Sequence, residues 1–186
     1  MVPHQHSVVR GALEWAIAFL IALVALFLIR SFVVEAYRVP TGSMESTIEV
    51  GDMLFGQKVT LELGQGVEPG DIVVFENPDG TSDHDILVKR VIATGGDTVD
   101  LEDGHVVVNG EALEEPYTTG SSYPLLNQAS GVTVSFPYTV PEGSVWVMGD
   151  NRENSADSRY FGAVPEENLV AVVFFRYWPL DRLGGV

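Results

Sequence analysis

The chain has 186 residues, 46% of them hydrophobic, with 10 basic and 26 acidic side chains, a net charge of −16 and no cysteine. That length suits one domain with a small appendage and a core that needs no disulfide or metal staple. The missing cysteines exclude disulfides, thiol catalysis, iron–sulfur clusters and Cys-ligated zinc. The acidity argues against a nucleic-acid partner, which needs clustered lysine and arginine. Only two lysines exist, Lys58 and Lys89.

The charge is unevenly placed. Residues 1–38 carry Arg10, Arg30 and Arg38 against Glu14 and Glu35, and nearly all the acid lies beyond them. Within this head, Trp15 to Ile29 (WAIAFLIALVALFLI) is an unbroken apolar run. Alone it is short for a span, since about 20 residues cross the hydrocarbon core. Taken from Gly11 to Val34 the segment is long enough, with Trp15 at one interface and Arg30 snorkelling to the other. The expected organisation is a short tail at 1–10, a transmembrane anchor at 11–34 in a lipid bilayer, and a body at 35–186. Two rivals share this composition. One is a cleaved signal peptide, with Arg10 as its charged end and Val34-Glu35-Ala36 as the cut site. The other is a buried core helix. The arginines do not set an orientation, because Arg10 is outnumbered by Arg30 and Arg38.

From Val39 the chain reads as short strands with turn punctuation. Gly-Asp recurs at 51–52, 70–71, 96–97 and 149–150, and the first three lead into the apolar or alternating runs MLFGQKV, IVVF and TVDL. Ile86–Ala93 (ILVKRVIA) and Leu169–Phe175 (LVAVVFF) are rich in β-branched residues, and seven residues is too short for a second span. No long helical period follows residue 38. The expected fold is mainly β, an antiparallel sheet or barrel-like domain behind one N-terminal transmembrane helix. Residues 103–141, dense in glycine, proline and serine, read as a hairpin-rich insertion with one long loop.

His84 and His105 sit in polar, turn-like contexts (SDHD, EDGH) that suit solvated loop histidines; a metal site of His84 with Asp83 and Asp85 is a weak pattern. Residues 150–157 fail the calcium-loop pattern because Arg152 stands at a ligand position. No metal and no cofactor is expected. Lys89 differs. On a strand, Leu87, Lys89 and Val91 share one face, and Val88, Arg90 and Ile92 the other. A lysine among apolar neighbours loses its charge more easily and can serve as a general base to a serine hydroxyl. The rival is a strand-edge lysine with its head in water. The candidate serine is Ser43 in Pro40-Thr41-Gly42-Ser43-Met44, which read alone is an ordinary turn. A third polar cluster, Gly149 to Arg159, is either a solvated loop or a shell of hydrogen bonds around a site.

Four segments in order carry a resemblance. PTGSMESTIEVGD, GDIVVF, KRVIATGGD and GDNRENSADSRYFGAVP are similar to the boxes of bacterial type I signal peptidases, membrane-anchored Ser-Lys proteases. The resemblance implies that Ser43 is the nucleophile and Lys89 its general base. It implies that the Thr41 hydroxyl and the Ser43 N–H bind the oxyanion, that Ser155 hydrogen-bonds and orients the lysine, and that Asp157 and Arg159 form a supporting ion pair near Asp150. The implied substrates are preproteins with Ala-x-Ala-like cleavage sites. The implied topology puts the tail in the cytoplasm and the catalytic domain outside. Thr41 stands where serine is usual, Ser46 where proline is usual, Glu153 where aspartate is usual, and Thr94-Gly95-Gly96 replaces Gly-x-Pro-Gly; none removes a catalytic atom. Self-cleaving repressor-type Ser-Lys proteases, which carry a DNA-binding head, fit less well. A non-catalytic membrane-anchored β module, serving in binding or assembly, needs neither Ser43 nor Lys89.

Overall fold

A computed structural model describes residues 5–79 and 85–186, with the side chains of 5–9, 12 and 27–32 excepted. The apolar head forms helix α1 (Gln5–Phe32), 28 residues and so about 42 Å long at 1.5 Å per residue. The core-helix reading fails for its described side chains: Trp15 is 80% exposed and Phe19 66%. Among the described residues, no helix is long and apolar enough to cross a membrane. The helix ends two residues before the expected boundary, and Val34 already belongs to a strand.

Seven strands run in the order β1 (Val34–Arg38), β2 (Met53–Gln57), β11 (Leu169–Trp178), β3 (Ile72–Glu76), β4 (Ile86–Thr94), β9 (Ser144–Met148) and β10 (Val164–Pro165), with β12 (Gly184–Gly185) pairing β11. All the pairings are antiparallel. A second sheet runs β7 (Glu111–Ala112), β6 (His105–Val108), β5 (Thr98–Glu102) and β8 (Tyr138–Thr139). The expected barrel closure does not occur among the described residues. The large sheet is open, because β1 and β10 lie at opposite ends and pair only inward.

Three of the four Gly-Asp pairs build one turn. Gly51, Gly70 and Gly96 take φ of +93°, +102° and +92°, values that favour glycine. Each following aspartate accepts the N–H of the residue three before it, at 2.9 Å in all three turns. The next residue then starts β2, β3 or β5. Gly149-Asp150 is different, and it belongs to the site.

Strand β3 is buried on both faces. Val73 and Phe75 pack with Val91, Val145, Val147 and Phe161. Ile72 and Val74 pack with Leu54, Met44 and Ile48. Such a strand reads as a continuous apolar run rather than an alternation. Its partner β4 alternates as expected, with Leu87 and Val91 joining the first cluster and Val88 the second. Lys89 and Arg90 therefore enter the interior on opposite faces of one strand. A third cluster around Trp146, with Val99, Val106 and Val140, seats the small sheet on the large one.

Candidate active site

Ser43 lies in the turn that links β1 to β2, in a stretch pinned by burial and by cations. Met44 and Ile48 are fully buried in the core. Arg176 of β11 donates to the Thr47 carbonyl at 2.8 Å, and the buried Asp52 accepts from Arg182. Lys89 reaches this turn from the middle of β4. Its Nζ donates to Ser43 Oγ at 2.7 Å and to the Val88 carbonyl at 3.0 Å. Ser43 is 7% exposed and Lys89 2%. Burial pushes the Lys89 amine down to about 8, against the raising influence of the Asp157 and Asp150 charges. A lysine so placed reaches its neutral form close to physiological pH and can take a serine proton.

Around this pair stands a shell of buried charge. Asp150 accepts from Arg90 at 2.9 and 2.7 Å, and from the Thr47 hydroxyl at 2.6 Å. Burial alone would pull the Arg90 guanidinium down; the hydrogen bonds and charge of Asp150 outweigh it and hold it above its ordinary value. Asp157 caps the short helix α2 (Ser158–Phe161) and accepts two bonds from the Arg159 guanidinium, each 2.9 Å, and one from Gly149 N–H at 3.1 Å. Arg152 donates to the Gly149 carbonyl at 2.9 Å and pairs with Glu115 at 2.5 and 3.0 Å. A Cβ on Gly149 would stand 2.3 Å from Ser155 Oγ and 2.4 Å from the Ser43 carbonyl oxygen, so no other residue fits there. The fourth Gly-Asp pair is thus a site of close approach, not a strand-starting turn.

Next to Ser43 a cleft of about 180 Å³ opens between Tyr37–Thr41 and Ile86–Val88. Its walls are mostly apolar, and Thr41 and Ser43 both belong to its lining.

Residues 12–178 match the family described as signal peptidase, peptidase S26. A probable signal peptidase I-2 of Synechocystis sp. is 40% identical over 159 residues, covering 84% of this chain and 68% of that one. Signal peptidase IB of Staphylococcus aureus is 36% identical over 182 residues, covering 91% of both. The chain belongs to the signal peptidase family. A solved signal peptidase I from Enterococcus faecalis V583 is 29% identical, with a TM-score of 0.43, over 57% of this chain and 96% of that one.

Most of the residues that the signal peptidase resemblance points to come together: Ser43 meets Lys89, Thr41 lines the same cleft, and Asp157 pairs with Arg159. Ser155 lies beside them, but its Oγ is buried and makes no hydrogen bond among the described residues. The two bonds of the Lys89 amine go instead to Ser43 and Val88. His84 and Asp83 lie outside the described residues. His105 is exposed at the start of β6, and Lys58 pairs with Glu35 near the surface. Among the described residues, no group of three or more His, Asp or Glu is placed to hold a metal.

Three features escape the sequence reading. Arg90 is the partner of Asp150, a role that its place on the opposite face of β4 hints at without naming the acceptor. Glu115 pairs with Arg152 from within the loop-rich 103–141 segment, where nothing in the pattern points to a contact 37 residues away. Asn151 touches the Ser43 turn, and its position inside GDNRENS gives no sign of that.

Proposed function

We propose that this signal peptidase removes signal peptides from exported preproteins by a Ser43–Lys89 dyad. The observation that carries the reading is the 2.7 Å contact between Lys89 Nζ and Ser43 Oγ, with both residues buried. Neutral Lys89 accepts the proton of Ser43 as Oγ attacks the scissile carbonyl, and the resulting ammonium protonates the leaving amine. The oxyanion is held by the Ser43 N–H and the Thr41 hydroxyl. The mature protein departs, leaving the signal peptide as an ester on Ser43. Lys89 then draws a proton from water, which attacks that ester and releases the peptide. The cleft between Tyr37–Thr41 and Ile86–Val88 receives the residues before the cut as an extended strand. Its small volume suits Ala-x-Ala-like sites.

Helix α1 is the retained membrane anchor in this reading, with the tail cytoplasmic and the catalytic domain at the outer face of the plasma membrane. Two observations support retention. Its described apolar side chains are exposed, and a cut after Ala36 would strip Val34–Ala36 from the strand they form with β2. Ser43 stands eleven residues beyond Phe32, where the helix ends, so the site lies within roughly 36 Å of the anchor's end at about 3.3 Å per residue. That suits a substrate still held in the bilayer.

The test gives purified full-length protein in detergent a precursor with an Ala-x-Ala site, beside Ser43→Ala and Lys89→Ala variants. Wild type cleaves. Ser43→Ala is inactive, and Lys89→Ala loses about 10²–10⁴-fold in rate, the contribution of a general base. An intact precursor with wild type sinks the reading and leaves the non-catalytic β module; normal cleavage by Lys89→Ala removes the role given to that residue.

A further inference from the structure

The peptide bonds on either side of Ser43 Cα are both held by one residue. Asn151 N–H donates to the Ser43 carbonyl at 3.1 Å. Asn151 Nδ2 donates to the Gly42 carbonyl at 3.2 Å and lies 3.4 Å from Glu45 Oε2. Glu45 folds back over Gly42, where a Cβ would meet its carboxylate at 2.6 Å. The amide of Asn151 thus faces two oxygens, which fixes its nitrogen as the group turned towards them.

The Gly42–Ser43 peptide is planar and trans, so its C=O and N–H point in opposite directions. Holding the Gly42 oxygen towards Asn151 turns the Ser43 N–H away from Asn151. Among the described residues that N–H donates to no acceptor. An unpaired donor on the nucleophile's own backbone, aimed by a fixed peptide plane, is what an oxyanion needs.

Asn151 is itself held. Its residue pairs with Thr119 in an isolated parallel bridge. Thr119 N–H donates to the Asp150 carbonyl and Arg152 N–H to the Thr119 carbonyl, both at 2.9 Å, and Asn154 N–H donates to the Asn151 carbonyl at 3.1 Å. The same polypeptide turn carries Asp150, whose carboxylate binds Arg90 and Thr47. The frame around Asn151 is therefore rigid without the Asn151 side chain.

We propose that the Asn151 side chain is a positioning residue for the oxyanion hole, gripping the Gly42 carbonyl so that the Ser43 N–H faces the oxygen of the scissile bond. This rests on the Ser43–Lys89 reading. It makes the amide matter to the transition state and not to substrate binding or to the lysine. A carbonyl oxygen in the bound substrate gains little from the aimed N–H, whereas the tetrahedral oxyanion gains the full charge-assisted bond.

The test uses full-length enzyme in detergent as wild type, Asn151→Ala, Asn151→Asp and Lys89→Ala. Four quantities are read: kcat, KM, the midpoint of the pH–rate profile, and the affinity for a peptide aldehyde against the matching peptide alcohol. The aldehyde adds Ser43 Oγ to its carbonyl carbon; the Oγ proton passes to Lys89 and the new oxyanion enters the hole. The alcohol fills the same cleft without forming that bond. The expected result for Asn151→Ala is a fall in kcat of about 10- to 100-fold, with KM within threefold and an unchanged pH midpoint. Aldehyde affinity falls in step with kcat, and alcohol affinity holds. Asn151→Asp sets a carboxylate against two oxygens and loses at least as much. The proposal is overturned if Asn151→Ala keeps kcat within threefold, if aldehyde and alcohol weaken equally, or if both variants lose their thermal transition at the assay temperature. If Lys89→Ala cleaves like wild type, the dyad itself fails; if Lys89→Ala is inactive while Asn151→Ala is normal, only the positioning role fails.

Discussion

Lys89 and Arg90 are neighbours on β4, and both are at least nine-tenths buried. Their fates differ because the two faces of the strand meet different partners. On one face the Lys89 amine finds a hydroxyl and a carbonyl, neutral acceptors at 2.7 and 3.0 Å. No carboxylate in hydrogen-bond contact offsets its lost hydration among the described residues, and burial pushes it down to about 8. On the other face Arg90 meets Asp150 through two bonds, donates to the Gly70 carbonyl and lies over the Tyr117 ring at 4.0 Å. It keeps its charge. One strand thus carries a buried amine with its pKa lowered and a charged, ion-paired guanidinium on consecutive residues, and the placement of one carboxylate separates them. Arg152 with Glu115 and Arg159 with Asp157 repeat the paired arrangement around the site. Among the described residues, Lys89 is the buried basic side chain outside it.

Removing the carboxylate breaks the contrast most strongly. Asp150→Ala leaves Arg90 buried and uncompensated, and loss of one partner of such a pair costs about 3–5 kcal/mol. Chemical denaturation followed by circular dichroism measures it, and a loss below about 1 kcal/mol would make Arg90 no more constrained than a surface cation.

A smaller effect of opposite sign is expected on the other face. The folded state holds Lys89 at about 8, below its ordinary 10.5. The unfolded chain therefore binds the extra proton between those values, and the Lys89 contribution to stability rises with pH across that window. At pH 7 the buried amine costs stability. Lys89→Met removes that cost and raises stability by up to about 3 kcal/mol at neutral pH, at about 1.4 kcal/mol per pKa unit. The gain shrinks as pH climbs from 8 towards 10.5. Melting temperatures of wild type and Lys89→Met at a series of pH values check it; a variant less stable than wild type at neutral pH contradicts it.

The sequence made the strands legible wherever local chemistry decided them. Three Gly-Asp turns announce β2, β3 and β5 because glycine's positive φ and the aspartate's backbone bond are properties of a few consecutive residues. The alternation across Leu87, Lys89 and Val91 likewise places Lys89 on an apolar face. Sheet closure was not legible. Whether β1 meets β10 depends on tilt and stagger summed over the whole sheet, and the barrel expectation failed there. The Ser43–Lys89 contact needed the resemblance: PTGSM read alone is a turn, and nothing local says that a lysine 46 residues away will touch it. Arg90–Asp150, Arg152–Glu115 and the Asn151 contacts span still longer or less patterned separations. Ser155 marks a further difference, since the implied bond to Lys89 is replaced by the Val88 carbonyl.

The scarcity of lysine makes the central claim directly measurable. With Lys58 and Lys89 the only two lysines, a full-length protein labelled with ¹⁵N at the lysine amine gives two side-chain signals, and a Lys89→Ala sample assigns them. Followed by NMR across pH in detergent, the Lys89 signal is expected to titrate with a midpoint near 8. A midpoint near the ordinary 10.5 would mean a solvated ammonium at working pH, and Lys89 would then not be the base that activates Ser43.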